Sequence, residues 1–516
     1  MLWFIIIILM GSKKIFTIAP LGLKGVLVEV EANLSRHLPK IIVVGLPDAA
    51  VQEAKERVWA AIENSGLNFP RQKVVINLSP AQIRKEGGSY DLPIAISVLQ
   101  AGGILSSIDD KSAFIGELAL SGELKPIPGA LVMATSLKDM GFRQVYLPYQ
   151  NAREVAIIEG IDIYAVKKLE DLVEHLSGRQ KIQAIEKIDF LPTTAKASVD
   201  FCDIHGQEQA KRVMEIAAAG GHNILMVGPP GAGKTMLSKA FLSILPEPSL
   251  EEALETSKIF SLAGLLSNDR YLIDSRIVRA PHHSASVSAI VGGGSWPRPG
   301  EISLAHNNVL FLDEILEFPR QILEALRQPL EDKVITVSRV KGSFDFPANF
   351  ILLATANPCP CGFLTDQEKE CSCSDYDVKK YQKRLSGPVL DRIDLHFFVN
   401  KVQTQKLAID TKLAERSEDI KSRVMKARKI QASRFGPNNF SLNANMDSKD
   451  IKNFCALSLS SQDILRQAAR KMNLSARAYF KIIKTARTIA DLEARDDIED
   501  HHILEALQYR SKIFGD

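Results

Sequence analysis

Along the first 175 residues, short apolar runs alternate with stretches of helical period. "GVLVEVEA" (25–32), "KIIVVGL" (40–46) and "KVVINLS" (73–79) read as strands, and "DAAVQEAKERVWAAIENSG" (48–66) and "DLPIAISVLQAGG" (91–103) as helices. "FIGELALSGEL" (114–124) and "ALVMATSLKDMG" (130–141) continue the alternation. Strands interleaved with helices bury their apolar side chains between a sheet and a helical layer, so the pattern predicts an α/β fold. Residues 177–200 are polar and weakly patterned, and read as a linker. A second α/β unit opens at Phe201 and runs to about residue 400, after which strands give way to helical periodicity. "DIKSRVMKARKIQASRF" (419–435), "SQDILRQAARKM" (461–472), "ARAYFKIIKTARTIADLEA" (476–494) and "DDIEDHHILEALQYR" (496–510) predict a helical C-terminal domain. The expected division is an apolar extension over 1–13, an α/β domain over 14–176, the linker, an α/β core over 201–400 and a helical domain over 401–516.

Composition narrows the class. A chain of 516 residues that is 46% hydrophobic and 24% charged describes an ordinary globular protein of several domains, able to bury its cores without disulfides. The apolar run from Leu2 to Met10 has no basic residue before it and no small-residue cleavage site after it. It is also shorter than the roughly 20 residues a bilayer span needs. It reads as an upstream extension with Met10 as the start, or as a short buried strand, and the expected compartment is the reducing cytoplasm. The net charge of +3 names no partner, but Lys379 to Arg434 carries 15 Lys and Arg against 6 Asp and Glu, a local +9. Such a run is either a solvated helical face or a nucleic-acid surface.

The chemistry enters at "LMVGPPGAGKT", residues 225–235. This apolar strand feeds Gly228, Pro229, Pro230, Gly231, Ala232, Gly233, Lys234 and Thr235 into a helical pattern that continues through Met236. Glycines there let backbone N–H groups wrap phosphate oxygens, Lys234 reaches the β- and γ-phosphates, and Thr235 offers its hydroxyl to Mg2+. ATP and Mg2+ are therefore the expected cofactors. The loop needs a carboxylate from a neighbouring strand, and "NNVLFLDE" (307–314) supplies Asp313 for the Mg2+ shell and Glu314 to polarise attacking water. A third strand, "FILLATAN", ends at Asn357, placed to bond the water or the γ-phosphate.

A polar residue at that strand end is the sensor of AAA+ ATPases, and the resemblance extends further. "SGPVLDRIDL" (386–395) resembles the segment bearing their arginine finger, here Arg392. "LSARAYFKIIKTARTIADL" (474–492) resembles the lid helix with the second sensor arginine, here Arg477. "RAPHHSASVSAIVGGGSWPRPGEISLAHNNVLFLDE" (279–314), "AAAGGHNILMVGPPGAGKT", "LEALRQPLEDKVITVSR" and "NPCPCG" resemble the magnesium-chelatase-like branch, specifically the YifB/ComM family, and the resemblance covers nearly the whole chain from Lys14. It implies a homo-oligomeric ring ATPase, hexameric in form, whose best-known members promote branch migration of DNA during natural transformation. On that resemblance the expected partner is single-stranded or branched DNA, with no membrane involved. The alternative is a chelatase-type or chaperone-like ATPase that remodels a protein partner, although no integrin-like metal-binding domain follows residue 400. "KVITVSRVKGSFDFPANF" (333–350) would be a hairpin pointing into the ring's pore, where Arg339 and Lys341 meet phosphates if DNA threads it. His282 and His283 have no thiol or carboxylate cluster near them in sequence, and a loop-ordering role is expected.

The N-terminal region resembles the proteolytic domain of the Lon family, in which a lysine activates a serine nucleophile. "RKEGGSYDLPIAIS" places Ser89 at the nucleophile position, but "SGELKPIPGALVMA" carries Leu131 where that resemblance puts the lysine, and Lys125 lies across the Pro126-Ile127-Pro128 turn. A serine without a base in hydrogen-bond reach does not attack at neutral pH. The domain is therefore expected to be a non-proteolytic binding or assembly module.

Four of the chain's six cysteines, Cys359, Cys361, Cys371 and Cys373, crowd the segment just after Asn357. In a reducing compartment such a cluster points away from disulfides and toward metal. Four thiolates suit a tetrahedral structural Zn2+, with an iron–sulfur cluster and plain reduced thiols as the alternatives.

Overall fold

The computed structural model describes residues 14–510, apart from 196, 268, 295, 296, 340, 341, 367, 402–414 and 437–441. The N-terminal apolar run and Lys341 lie outside the described residues. The fold is mixed α/β, in two compact units: one takes the chain to Leu191 together with Ala253–Ile273, the other holds Pro192–Glu252 and the chain from Asp274 on.

The first unit contains β1 (Lys14–Leu21), β2 (Lys24–Ser35), β3 (Lys40–Val44), β4 (Lys73–Ser79), β5 (Ser112–Phe114), β6 (Glu117–Leu118), β7 (Leu124–Lys125), β8 (Gln144–Pro148) and β9 (Asp162–Val166). Seven of them form one sheet in the order β3-β4-β2-β1-β5-β8-β9, and β6 pairs with β7 as a small ribbon. The two-residue period of a strand sends alternate side chains to opposite faces. Along β1, Ile15 and Ala19 pack with the helices Ala49–Asn64 and Asp91–Ala101, while Ile18 packs on the other face with the helix Ala130–Asp139. Asp48 caps the first of these helices by accepting the Val51 N–H at 2.8 Å.

The second unit contains β10 (Ile224–Val227), β11 (Val278–Arg279), β12 (Gly292–Gly293), β13 (Arg298–Pro299), β14 (Val309–Leu312), β15 (Val334–Arg339), β16 (Gly342–Pro347), β17 (Ile351–Ala356) and β18 (Leu395–Phe398). Its main sheet is parallel throughout, in the order β11-β14-β17-β10-β18. Parallel sheets are covered on both faces, and accordingly every residue of β10 and β14 is buried. The helices Ser417–Phe435, Ser448–Phe454, Leu459–Lys471, Ala476–Leu492 and Asp500–Gln508 follow. Ile420, Val424, Ile482 and Ile489 from these helices share one continuous core with Ile224, Met226 and Leu395 of the sheet. Among the described residues no helix is long and apolar enough to cross a membrane.

Candidate functional site

Parallel strands release the chain on one edge of the sheet, and register decides which releases are neighbours. β17 lies between β10 and β14, with Val227 opposite Ala356 and Leu312 opposite Ala354. Gly228, Asp313 and Asn357 therefore leave the sheet side by side. Gly231 and Gly233 adopt φ of +78° and +88°, a region that favours glycine, and the helix Lys234–Ala240 starts directly after them. Gly228 is required for a different reason, since a Cβ there would fall 2.3 Å from the Val399 carbonyl oxygen.

Polar contacts tie these ends together. Lys234 Nζ donates to the Gly228 carbonyl, to the Pro229 carbonyl at 3.1 Å and to Asn357 Oδ1 at 3.1 Å. Thr235 Oγ1 donates to Asp313 Oδ2 at 3.4 Å. Thr355 Oγ1 donates to Asp313 Oδ1 and accepts the Glu314 N–H at 2.9 Å. Burial drives the Lys234 ammonium down to about 8, against the pull of Asp313 and Glu314. The loop thus offers N–H groups and a lysine for anionic oxygens, beside an all-oxygen donor set of Thr235 and Asp313 that suits a hard divalent cation. Ala232 and Met236 complete the loop and its helix, Ala232 buried and Met236 exposed.

The two arginines lie in a different place. Arg392 Nη2 and Arg477 Nη2 both bond the carboxylate of Glu331, the latter at 2.5 Å, and Arg392 Nη1 donates to the Pro388 carbonyl at 2.7 Å. Although burial pushes the Glu331 carboxyl up, the two guanidinia outweigh it and hold it below the usual carboxylate range. Arg392, Arg477 and Glu331 line a pocket of about 500 Å3 together with Lys333, Lys481 and Lys484, and none of Lys234, Thr235, Asp313, Glu314 or Asn357 lines it. Burial brings Lys333 down to about 8. Burial also acts to raise Asp394, but Lys481 at 2.6 Å prevails and holds that carboxyl well below its usual range. Sequence reasoning missed Thr355, Glu331 and this lysine cluster.

The remaining candidates separate in the same way. β15 and β16 form the expected hairpin, with Arg339 opposite Gly342, and Arg339 Nη2 donates to the Gly292 carbonyl at 3.0 Å. The His282 and His283 rings lie 4.1 Å apart and tilted by 33°, His282 Nδ1 lies 2.7 Å from Ser284 Oγ, and neither joins a cluster of ligand-type side chains among the described residues. In the basic run, Arg384 pairs with Glu317, Arg392 with Glu331, Lys401 with Asp366, Lys421 with Glu247, Arg423 with Glu215 and Arg434 with Asp491, and Arg428 bonds the Ala218 carbonyl. Much of that charge therefore serves the fold itself, while Lys379, Lys380 and Lys383 are exposed. In the first unit Ser89 is 8% exposed, Leu131 is fully buried, and Lys125 pairs with Glu123 at 2.9 Å. The buried Lys85 donates to the carbonyls of Gly45 and Pro80.

The four cysteines converge. Cys359, Cys361 and Cys371 place their sulfurs 3.4 to 3.6 Å apart, Cys373 Sγ accepts the Cys361 N–H at 3.4 Å, and all four sulfurs lie within 4.8 Å of one another.

A glycine loop closing on Lys234 at the carboxyl edge of a parallel sheet, faced by an acid pair from the next strand but one, defines a P-loop nucleoside triphosphatase. Comparison with known proteins narrows the class. The family described as magnesium chelatase, subunit ChlI, matches residues 200–407, and related models of the same subunit match 30–151 and, as its C-terminal region, 414–510. Competence protein ComM of Haemophilus influenzae is 40% identical over 98% of this chain and 98% of its own length, and YifB of Escherichia coli is 42% identical over 97% of each. Lon protease 2 of Bacillus subtilis is 29% identical over 122 residues, 23% of this chain and 22% of its own. The chain belongs to the YifB/ComM family of magnesium-chelatase-like AAA+ ATPases, for which ATP and Mg2+ are the general requirement.

Proposed function

We propose that the protein is a ring-forming, hexameric ATPase of the cytoplasm that couples ATP hydrolysis to remodelling of single-stranded or branched DNA, of the branch-migration or helicase kind. The observation that carries the reading is the separation of the two clusters: the phosphate loop and its acids stand at one place, Arg392 and Arg477 at another, on the shared carboxylate of Glu331. A site divided in this way is completed by a second copy of the chain, and a ring supplies that copy to every protomer.

In this mechanism Lys234 leaves the Gly228 and Pro229 carbonyls for the β- and γ-phosphate oxygens. Thr235 and Asp313 would hold the cation, whose chemistry there would be to neutralise charge on the phosphates. Glu314 takes a proton from the attacking water, Asn357 orients that water or the γ-phosphate, and the neighbour's Arg392 meets the charge that develops on transfer. Arg477 of the lid helix assists the same phosphates. The family membership, the β15–β16 hairpin with Arg339 and the exposed Lys379, Lys380 and Lys383 support DNA as the material moved. The first unit, with Leu131 at the expected lysine position and Lys85 committed to two carbonyls, is read as a non-proteolytic assembly module.

The test is ATP hydrolysis with and without single-stranded and branched DNA, with Glu314→Gln as control. Stimulation by DNA that disappears in the variant is expected. Activity indifferent to DNA would favour a chelatase-type or chaperone-like ATPase acting on a protein partner.

A further inference from the structure

We propose that Cys359, Cys361, Cys371 and Cys373 hold one Zn2+, and that the loop this metal closes braces the phosphate loop through Gly362 and Pro230. A tetrahedral site with Zn–S bonds of about 2.3 Å sets its sulfurs about 3.8 Å apart. The sulfur separations of 3.4, 3.5 and 3.6 Å stand near that value, and all four cysteines are free. Binding converts four thiols to thiolates, and the protons pass to solvent. The described residues of the segment 359–373 form turns and bends without helix or strand. A cross-link among its four sulfurs therefore contributes local folding energy where backbone ladders do not.

The other cluster of ligand-type side chains among the described residues, Glu493 with His501 and His502, is accounted for without metal. His502 Nδ1 accepts the Glu499 N–H at 2.9 Å, so Nε2 carries the proton and donates to Glu493 Oε2 at 3.2 Å. Neither nitrogen of His502 then has a lone pair free for a cation.

The brace follows from the position of Gly362. It adjoins Cys361, its N–H donates to the Cys359 carbonyl at 3.0 Å, and its φ is +84°. A Cβ built on it would fall 2.7 Å from Pro230 Cδ, 2.8 Å from Pro230 Cγ and 3.9 Å from Asn357 Cγ. The backbone at Gly362 is therefore seated directly on the proline ring of the phosphate loop. Behind it, buried Gln382 donates to the Pro358 carbonyl at 2.9 Å, which fixes the segment's entry. Fixing the sulfurs fixes Gly362, and Gly362 limits the excursions of Pro230. The metal half of the proposal stands apart from the nucleotide reading, and the brace rests on residues 228–235 being the ATP site only in the last readout below.

The full chain is expected to carry about one zinc, in the stoichiometry of a four-cysteine site. Cobalt substitution should give thiolate charge-transfer bands and tetrahedral d–d absorption, and C361S/C371S should lower bound metal to background. In nucleotide-free protein, hydrogen exchange of peptides spanning 228–235 should speed several-fold on chelation and slow again when Zn2+ is returned, a reversal that separates bracing from unfolding. A fluorescent ATP analogue should then bind the stripped chain at least about threefold more weakly, while Lys234→Ala loses the analogue yet keeps its zinc and the zinc-dependent exchange. Iron with acid-labile sulfide, or no metal above the variant's background, overturns the zinc assignment. Zinc present with exchange at 228–235 unchanged by its removal overturns the brace. Failure of the analogue to depend on Lys234 counts against the ATP site alone, because metal content and exchange are read without nucleotide.

Discussion

On the proposed function, the state of Lys234 sets how readily the loop takes a triphosphate. Folded back on the Gly228 and Pro229 carbonyls and lowered by burial to about 8, it begins to lose its proton just above neutrality. A triphosphate beside it favours the charged form and raises that value again. The complex then holds the proton more firmly than the free protein, so affinity is level below pH 8 and falls as pH rises through 8, by up to about tenfold per unit. Titration of an ATP analogue from pH 7 to 9.5 checks the slope, and calorimetry in buffers of different ionisation enthalpy should register proton uptake at pH 8.5; level affinity across that range sinks the argument. Thr355 makes a second residue-scale case. Its hydroxyl orders both Asp313 and the Glu314 backbone, and T355V keeps the shape while removing the bonds. A loss of about 1–3 kcal/mol of positioning should lower kcat by about fivefold to 150-fold and leave the analogue's Kd within about threefold. The grouping of Lys234, Thr235, Asp313, Glu314 and Asn357 was legible in the sequence, the first two from the glycine spacing of the loop and the other three from the apolar runs they close. Thr355 was not, being one polar position inside such a run. Glu331 was not either, since its partners stand 61 and 146 residues away.

At the scale of elements, one carboxylate adds a polar tie between the helix Ala476–Leu492 and the helix Ser417–Phe435, beside the apolar core they share. Asp491 is 1% exposed and accepts from Arg487 at 3.0 Å, from Arg434 at 2.9 Å and from Asn443 at 2.7 Å. Removing it leaves two guanidinia without their anion, so Asp491→Ala should lose about 3–5 kcal/mol. Urea unfolding of the full chain checks this, and a midpoint unchanged from the parent would show the network to be dispensable. The same network explains why the basic run was a poor guide from sequence: Arg434 counts toward its charge, yet its guanidinium is bound to Asp491 inside the protein. Charge runs report composition along the chain, whereas pairing depends on which helices meet. β10, β14 and β17 were legible as continuous apolar runs bounded by polar residues. β8 and β9, five residues each, are too short for a period to register, and strand order is written nowhere in local pattern.

For the whole molecule, the decisive arrangement is the pair Arg392 and Arg477 on Glu331, in a pocket that includes none of the phosphate-loop residues. An arginine delivered in trans contributes about 10^3 to 10^5 to the rate in related phosphoryl transfers, so a protomer alone should be nearly inert. Two variants read this directly. Lys234→Ala removes the lysine from a protomer's own phosphate loop and leaves its arginine, whereas Arg392→Ala does the reverse, and each is expected to be inactive by itself. In equal mixtures, an interface works when an intact phosphate loop faces an intact arginine, which random assembly of a closed ring gives at about a quarter of positions. Hydrolysis should therefore recover to about a quarter of the parent rate on mixing, and dilution below the assembly concentration should abolish it. If Arg392 instead served its own protomer, no mixture of the two variants would contain a complete site, and mixing would restore nothing.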